Sequence, residues 1–489
     1  MAGKGSERFS GRFLTRGETS AFAHMADGYP MPSEGLGRPP ISDRLYEGMQ
    51  GIDEVPAELY AQRHVKRGLR NSDGSGVLVG LTTISDVHGY SKVNGMVVPD
   101  RGELRLRGYR IGDLVRGCHD ADRFGYEEVA FLLFTGSLPN QAELDDFKAR
   151  IAMRRQLPEG YLGIFPRTTY GHSIMNVLQR ATLLLYAFDR DPDDTSPTHE
   201  IDVAISLLPR VASIAYQASV ADREGSRLRI PPARESYTMA ETILDILRGD
   251  EGFSREESMM LDVMLMLHAE HGGGNNSTFS CRVLSSSGTD AYSSYAAALG
   301  SLKGPKHGGA NFKASEMMED IADHVHDWSS DQEVSDYLMR VLRKETFDHS
   351  GLIYGLGHAV YTITDPRAEA VRSYARALAE KKGELDRFEL IRRIERLGPQ
   401  LMRDVMHITK PISTNIDMYT GFVYTMLGIP KDLFTPLFAL SRLSGWAAHR
   451  MEELYGPARI IRPAYSAYMD DRAYVPIEER SLGGCDGHE

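Results

Sequence analysis

The sequence predicts a mainly α fold with a small N-terminal β element. Beyond about residue 110, apolar residues recur at helical spacing almost to the C-terminus. Residues 77–110 alternate instead, through Val77-Leu78-Val79, Met96-Val97-Val98 and Leu104-Arg105-Leu106. Turn signals at Asn94-Gly95 and Asp100-Arg101-Gly102 divide that stretch, which predicts one or two small hairpins. Residues 1–45 are rich in Gly, Pro and Ser with little periodicity, and read as an extended or poorly ordered arm.

Several helices are placed by their ends. Ser254-Arg-Glu-Glu257 is a capping box, with Ser bonding the third backbone N–H and Glu reaching back. It opens a helix through Met259–Leu267, closed by Gly272-Gly273-Gly274. The run is apolar nearly all round, which predicts burial. Asp365-Pro366 reads as an N-cap followed by proline at the first helical position, starting a helix to about Leu378. Ala291–Leu302 is rich in Ala, Ser and Gly, so neighbouring helices can pack closely on it. A further helix spans Leu433–Leu454.

At 489 residues the chain is too long for one ordinary core, so two or more domains are expected. The net charge of −12 argues against a nucleic-acid surface, and Lys66-Arg67 and Arg154-Arg155 are short doublets, expected to be solvated, rather than a basic face. The cysteines, Cys118, Cys281 and Cys485, are far apart and form no Cys-x-x-Cys. That spacing fits a reducing compartment and offers neither a disulfide framework nor a zinc site. No apolar run is expected to reach membrane-span length; the longest candidate, Met259–Leu267, is interrupted by Asp262. Residues 1–20 lack a signal-peptide core. Lys4, Arg8, Arg12 and Arg16 are accompanied by Glu7 and Glu18, which reads as a flexible cytosolic tail rather than a transit peptide. The expected compartment is cytoplasmic, with the mitochondrial matrix as the alternative.

The candidate chemistry starts at His307, set in Gly304-Pro-Lys-His-Gly-Gly-Ala-Asn311. Three glycines and a proline make a tight, exposed backbone that a ligand can approach closely. His268 and His271, three apart, are expected in the last turn of the buried helix on a shared face. They either cap helix carbonyls or bind an anion. A metal needs a third ligand, but Glu270 points off that face and no His-Glu-x-x-His occurs. Arg367, second in its helix, stands where free backbone N–H groups attract anions and a guanidinium adds a bidentate grip. Arg442 lies in an apolar stripe with Phe438, Ala439, Gly445 and Trp446, so something anionic must meet it. That partner is either an internal carboxylate or a ligand.

Asp417 lies between Ile416 and Met418 at the start of an apolar helix. It reads either as a helix cap or as a general base with a raised pKa. His358 follows Gly355-Leu-Gly357, a poor nucleotide signal by itself. No Gly-x-Gly-x-x-Gly unit, P-loop or Gly-x-Ser-x-Gly elbow is present, which excludes Rossmann, P-loop and serine-hydrolase readings. Arginines and histidines to hold a dianionic acid, with one carboxylate to take a proton, are equipment for proton abstraction beside a carbonyl and carbon–carbon bond formation.

The chain resembles the citrate synthase family. The motifs that carry the resemblance are His268-Ala-Glu-His271, Gly304–Asn311, Gly357-His-Ala-Val-Tyr361, Thr364-Asp-Pro-Arg367, Asn415-Ile-Asp-Met-Tyr-Thr-Gly421, Ser441-Arg442 and Arg462-Pro463, in family order. Leu106–Leu114 and Glu127–Gly136 add to it, so that it spans about 77–480. The resemblance implies a two-domain helical fold, with a large domain over 77–307 and 421–489 and a small domain over 308–420 that closes over the site; the N-terminal arm over 1–76 has no family counterpart. It implies that acetyl-CoA condenses with oxaloacetate and that citryl-CoA is hydrolysed to citrate. 2-Methylcitrate synthase, using propionyl-CoA, is the close alternative. Asp417 would take the methyl proton, His307 would stabilise the enol or enolate, and His358 would polarise and protonate the oxaloacetate carbonyl. His271, Arg367, Arg442 and Arg462 would hold oxaloacetate, with Arg462 coming from the other subunit of a homodimer. Leu352, Gly355 and Gly357 would lie along CoA. No cofactor, metal, nucleic acid or membrane is implied. Gly272 stands where many relatives have an acidic residue, and Lys306 replaces a usual apolar residue beside His307.

Overall fold

Helix signals confined to a few residues translate directly into structure. This is a computed structural model that describes residues 55–480 apart from 72, 95, 165–172, 221–233, 235 and 458. The expected arm over 1–45, the charges from Lys4 to Glu18, and Cys485 lie outside these residues. At Ser254 the capping box forms: Glu257 N–H donates to Ser254 Oγ at 3.2 Å and Ser254 N–H donates to Glu257 Oε2 at 2.8 Å. The helix it opens is Arg255–His268, buried from Glu257 onward. Asp365 caps Pro366–Lys382, and Gly383, at φ +74°, ends that helix beyond the expected Leu378. Ala291–Leu302 is a helix with the expected bounds, and Phe434–Tyr455 answers the expected Leu433–Leu454.

Two compact units result, Met1–Leu69 with Arg462–Glu489, and Arg70–Ile461. In the first, residues 55–69 and 462–480 are described; they hold the short helix Ala57–Gln62 and one helical turn at Ile477–Glu479. The second unit carries the core. Its central helices are Arg255–His268 and Phe434–Tyr455, joined where Ser441 Oγ donates to the Leu265 carbonyl. The expected small-domain residues, 308–420, lie within this same unit.

The longest apolar helix is Pro197–Val220, not the Met259–Leu267 segment. By length and composition it could cross a membrane, but 78% of its apolar window is buried inside the protein. It also carries Glu200, which pairs with Arg450, both essentially without exposure. Arg450 Nε donates to Glu200 Oε2 at 2.8 Å, and its other nitrogens reach Ser294 Oγ and the Thr289 carbonyl, each at 2.8 Å.

The sheet has three antiparallel strands in sequence order, Ser85–Val93, Met96–Leu106 and Tyr109–Arg110. The first pair runs from Ser85 opposite Leu106 to Val93 opposite Met96, with an irregularity between His88 and Tyr90. Two expectations are corrected here. Val77-Leu78-Val79 forms no strand, because Leu78 and Val79 are 84% and 57% exposed and have no partner surface. Asp100-Arg101-Gly102 is not a turn but the middle of the long strand; the turn falls at Arg107-Gly108, with φ of +48° and +90°. Gly102 serves a close approach instead. A Cβ there would lie 2.0 Å from the Thr364 carbonyl oxygen, and one at Gly89 would lie 2.5 Å from that of Val360. The sheet thus presses against the loop that leads to Arg367.

Removing one partner of a buried ion pair strands the other charge. Glu200→Ala should therefore cost about 3–5 kcal/mol in urea-denaturation stability. A loss under about 1 kcal/mol would show that Ser294 and the Thr289 carbonyl suffice for Arg450.

Candidate active site

Arg442 sits in the middle of the Phe434–Tyr455 helix with no exposed surface. Its Nε donates to the His268 carbonyl at 2.7 Å, and its guanidinium lies 4.7 Å from the Phe438 ring centre. Both terminal nitrogens lack any hydrogen-bond partner. Among the described residues no carboxylate forms a salt bridge with it, so the internal ion pair weighed from the sequence is not made. Burial pushes its pKa down to about 10, against the opposing charge of Glu270. An unpaired buried guanidinium costs several kcal/mol. An anion would complete the arrangement.

His268 ends its helix and donates Nδ1–H to the Met264 carbonyl at 2.8 Å, as a capping histidine would. Its Nε2 is buried and unpartnered. His271 does not share that helix face, contrary to the sequence expectation. The helix stops at His268, and the chain turns through Glu270, whose carboxylate accepts from Gly272 N–H. Gly272 adopts φ +91°, and a Cβ there would lie 2.9 Å from Val87 Cγ2, which accounts for glycine at this position. The turn points His271 edge-on at His358 (5.2 Å) and Tyr361 (5.4 Å). Its Nε2 is also buried without a partner. Burial, then the charges of Arg367 and neighbouring groups, hold His271 well below the usual histidine range.

The His358 tautomer follows from its hydrogen bonds. Val360 and Tyr361 N–H groups donate to Nδ1 at 3.1 and 3.0 Å. The ring hydrogen is therefore on Nε2, available to an outside acceptor. Burial, then Arg367, lowers the ring to about 4, so it is neutral at pH 7. The His358 loop is zipped to the strand-like segment before Asp417. Asn415 N–H donates to the Gly355 carbonyl at 2.9 Å, Gly357 N–H to Ser413 at 2.7 Å, and Asn415 Nδ2 to the Gly357 carbonyl at 2.8 Å. Gly355 and Gly357 have φ near +88° and +87°, and a Cβ on Gly355 would meet Met418 at 2.9 Å. These glycines bring two reactive loops together; Leu352 beside them is 44% exposed.

Asp417 is the first residue of Asp417–Met426 and does not cap it, since Ile416 occupies the cap position. Its N–H donates to Asn415 Oδ1 at 3.0 Å. Among the described residues nothing donates to its carboxylate. Burial raises it to about 6, against the pull of Arg367. His307 Nε2 lies 3.1 Å from Ser277 Oγ, which also accepts from Trp446 Nε1 at 3.2 Å. Burial, then Arg442, lowers His307 to about 4. Lys306 beside it is exposed.

Arg367 differs from the expectation. Its fork is taken by Asp365, at 3.0 Å from Nε to Oδ1 and 2.7 Å from Nη2 to Oδ2, so a ligand meets only the remaining edge. Asp365 was legible as a helix cap; that it also holds Arg367 is a matter of rotamer, not of sequence. Glu270 and Tyr361 lie within the sequence motifs but had no role read for them, and Ser277 is a further site residue that no local signal marked. Arg462 belongs to the other compact unit and is exposed.

The family model for the citrate synthase C-terminal domain matches residues 72–464. The chain belongs to the citrate synthase family. It is an acyltransferase. The citrate synthase of Haloferax volcanii is 33% identical over 422 residues, covering 85% of this chain and 99% of the relative. Citrate synthase 2 of Bacillus subtilis is 35% identical over 384 residues, covering 77% and 94%. 2-Methylcitrate synthase 1 of Corynebacterium glutamicum is 33% identical over 406 residues, covering 81% and 97%. Among solved structures, the ternary complex of Thermoplasma acidophilum citrate synthase with carboxymethyl coenzyme A and oxaloacetate superposes with a TM-score of 0.68 at 25% identity. It covers 85% of this chain and 99% of that one. The mainly α fold expected from the sequence is the fold of these relatives.

The histidine shifts have a consequence for stability. His358 titrates near about 4 when folded, against ~6.5 in an unfolded chain. Between those values the unfolded chain takes up a proton that the folded ring refuses. Stability present above pH ~6.5 is therefore lost as pH falls toward ~4. His358→Gln removes that uptake, so its urea midpoint should decline less steeply across this window than that of the parent. Identical slopes would place a proton on His358 in the folded protein.

Proposed function

We propose that this family member condenses acetyl-CoA with oxaloacetate and hydrolyses citryl-CoA, giving citrate and CoA. The observation that carries the reading is Arg442, a fully buried guanidinium with two empty nitrogens. Its natural complement is a carboxylate, and oxaloacetate supplies two. His271, with its own empty Nε2, and the open edge of Arg367 are the other holders. In a homodimer the partner subunit's Arg462 would complete the grip. His358 presents Nε2–H to the keto oxygen and carries a proton to it as the bond forms. A neutral donor suits this task, because it matches a carbonyl that gains charge only in the transition state.

Asp417 is the base. A carboxyl raised to about 6 is ionised at neutral pH yet basic enough to take a methyl proton beside the thioester. His307 faces the thioester oxygen as the enolate develops, its orientation held by Ser277. Leu352 and the Gly355–Gly357 backbone are the expected CoA contacts. We place the reaction in the cytoplasm, with no metal or organic cofactor taking part.

The relatives include both citrate and 2-methylcitrate synthases, whose acyl groups differ by one methylene, worth roughly 1–3 kcal/mol in an apolar site. Steady-state kinetics with oxaloacetate and each acyl-CoA should give the higher kcat/KM for acetyl-CoA. A preference for propionyl-CoA would make the protein a 2-methylcitrate synthase.

Two variants separate the roles. Asp417→Ala should lose turnover by about a thousandfold or more, in line with general-base removal, while calorimetry shows oxaloacetate affinity nearly intact. Arg442→Leu should weaken oxaloacetate by several kcal/mol yet leave the ligand-free protein as stable or more so. Unchanged oxaloacetate affinity would remove Arg442 from the site.

A further inference from the structure

Glu270 is a fully buried carboxylate, one residue before His271, that the reaction does not use. Three donors from three parts of the fold converge on its Oε1. His449 Nε2 and Ser85 Oγ each lie at 2.9 Å, and Gly272 N–H closes the turn across His271. His449 is itself held from behind: Arg282 Nη1 donates to its Nδ1 at 2.8 Å. A guanidinium only donates, so the ring hydrogen is on Nε2 and goes to Glu270. Arg282 is anchored in turn by Glu452 and Glu453, each at 2.8 Å. Oε2 has no partner and packs on Gly445, where a Cβ would lie 2.2 Å away.

As packing alone this is a costly choice. Apolar side chains of the same volume often replace buried charges with no loss of stability. What the carboxylate does achieve is geometric. It ties the turn holding His271 to the first strand through Ser85 and to the Phe434–Tyr455 helix through His449. Burial disfavours its charge, but His449, Arg442 and Ser85 hold the carboxyl down at about 2.

We propose that Glu270 is a positioning residue for the reaction: it locks the Glu270–Gly272 turn and so sets the His271 ring against His358 for oxaloacetate binding. This rests on the reading above that His271 contacts oxaloacetate. Removing hydrogen bonds to a charged acceptor should show first in the ligand that His271 holds. Glu270→Ala is expected to weaken oxaloacetate by about tenfold or more in calorimetric titration, with KM for acetyl-CoA within about twofold of the parent. Glu270→Gln keeps an acceptor oxygen of the same shape and should recover most of the loss. An Ala variant that binds oxaloacetate like the parent, or that loses both substrates equally, overturns the proposal.

If Glu270→Ala does not fold, Ser85→Ala removes one of the three donors at a partly exposed site, and about threefold weaker oxaloacetate binding is expected; unchanged binding overturns the proposal. If the parent protein binds no oxaloacetate, the functional reading falls instead. Crystal structures of the parent and Glu270→Ala then decide the positioning role. The His271 ring should leave its edge-on contact with His358, and an unmoved ring would sink the idea.

Discussion

A positive charge sealed inside the protein without a counterion sets the terms for everything near it. Arg442 spends one nitrogen on the His268 carbonyl and leaves two bare. That single bond ties the charge to the end of the Arg255–His268 helix, where the chain must turn. The bare nitrogens raise the free energy of the empty protein, and an anionic ligand lowers it again. Binding of an anion and folding are therefore linked at this residue.

Burial then acts in opposite directions on the groups around that charge. Histidines 268, 307 and 358 are held at about 3 to 4, while Asp417 is raised to about 6. The cause is the same, since a low-dielectric setting penalises whichever form is charged. The outcome is a set of neutral imidazoles next to one basic carboxylate at neutral pH. His358 and Asp417 are far apart in sequence but are brought together by the Gly355–Gly357 and Ser413–Asn415 segments. Hydrogen bonds between these two segments, a stiff connection, hold the two groups near each other.

The small sheet matters out of proportion to its size. Gly89 and Gly102 let its strands touch the backbone at Val360 and Thr364, on either side of Tyr361. Val87 packs on Gly272, and Ser85 hydrogen-bonds Glu270. Both turns, that of His271 and that of His358, thus lean on the same hairpin. A mainly helical protein here uses its few strands to register these loops.

Local codes were readable from the residues. The Ser254 box, the Asp365-Pro366 start and the Ala291–Leu302 helix depend on neighbours within four positions, and they formed as expected. The apolar stripe around Arg442 announced a buried charge, and the ordered motifs placed the chain in its family. Relations between distant segments were not readable. Asp365 could be seen as a cap, but its second grip on Arg367 depends on a rotamer chosen by burial. The strand through Asp100-Arg101-Gly102 looked like a turn, because glycine there serves a close approach to Thr364 rather than a bend. His271 left its helix because Glu270, His449 and Ser85 capture the following turn. Residue type and short-range pattern specify which groups are present and which helices carry them. Their orientation, pairing and charge state come from desolvation and hydrogen bonds made across hundreds of residues, and those exist only once the chain has folded.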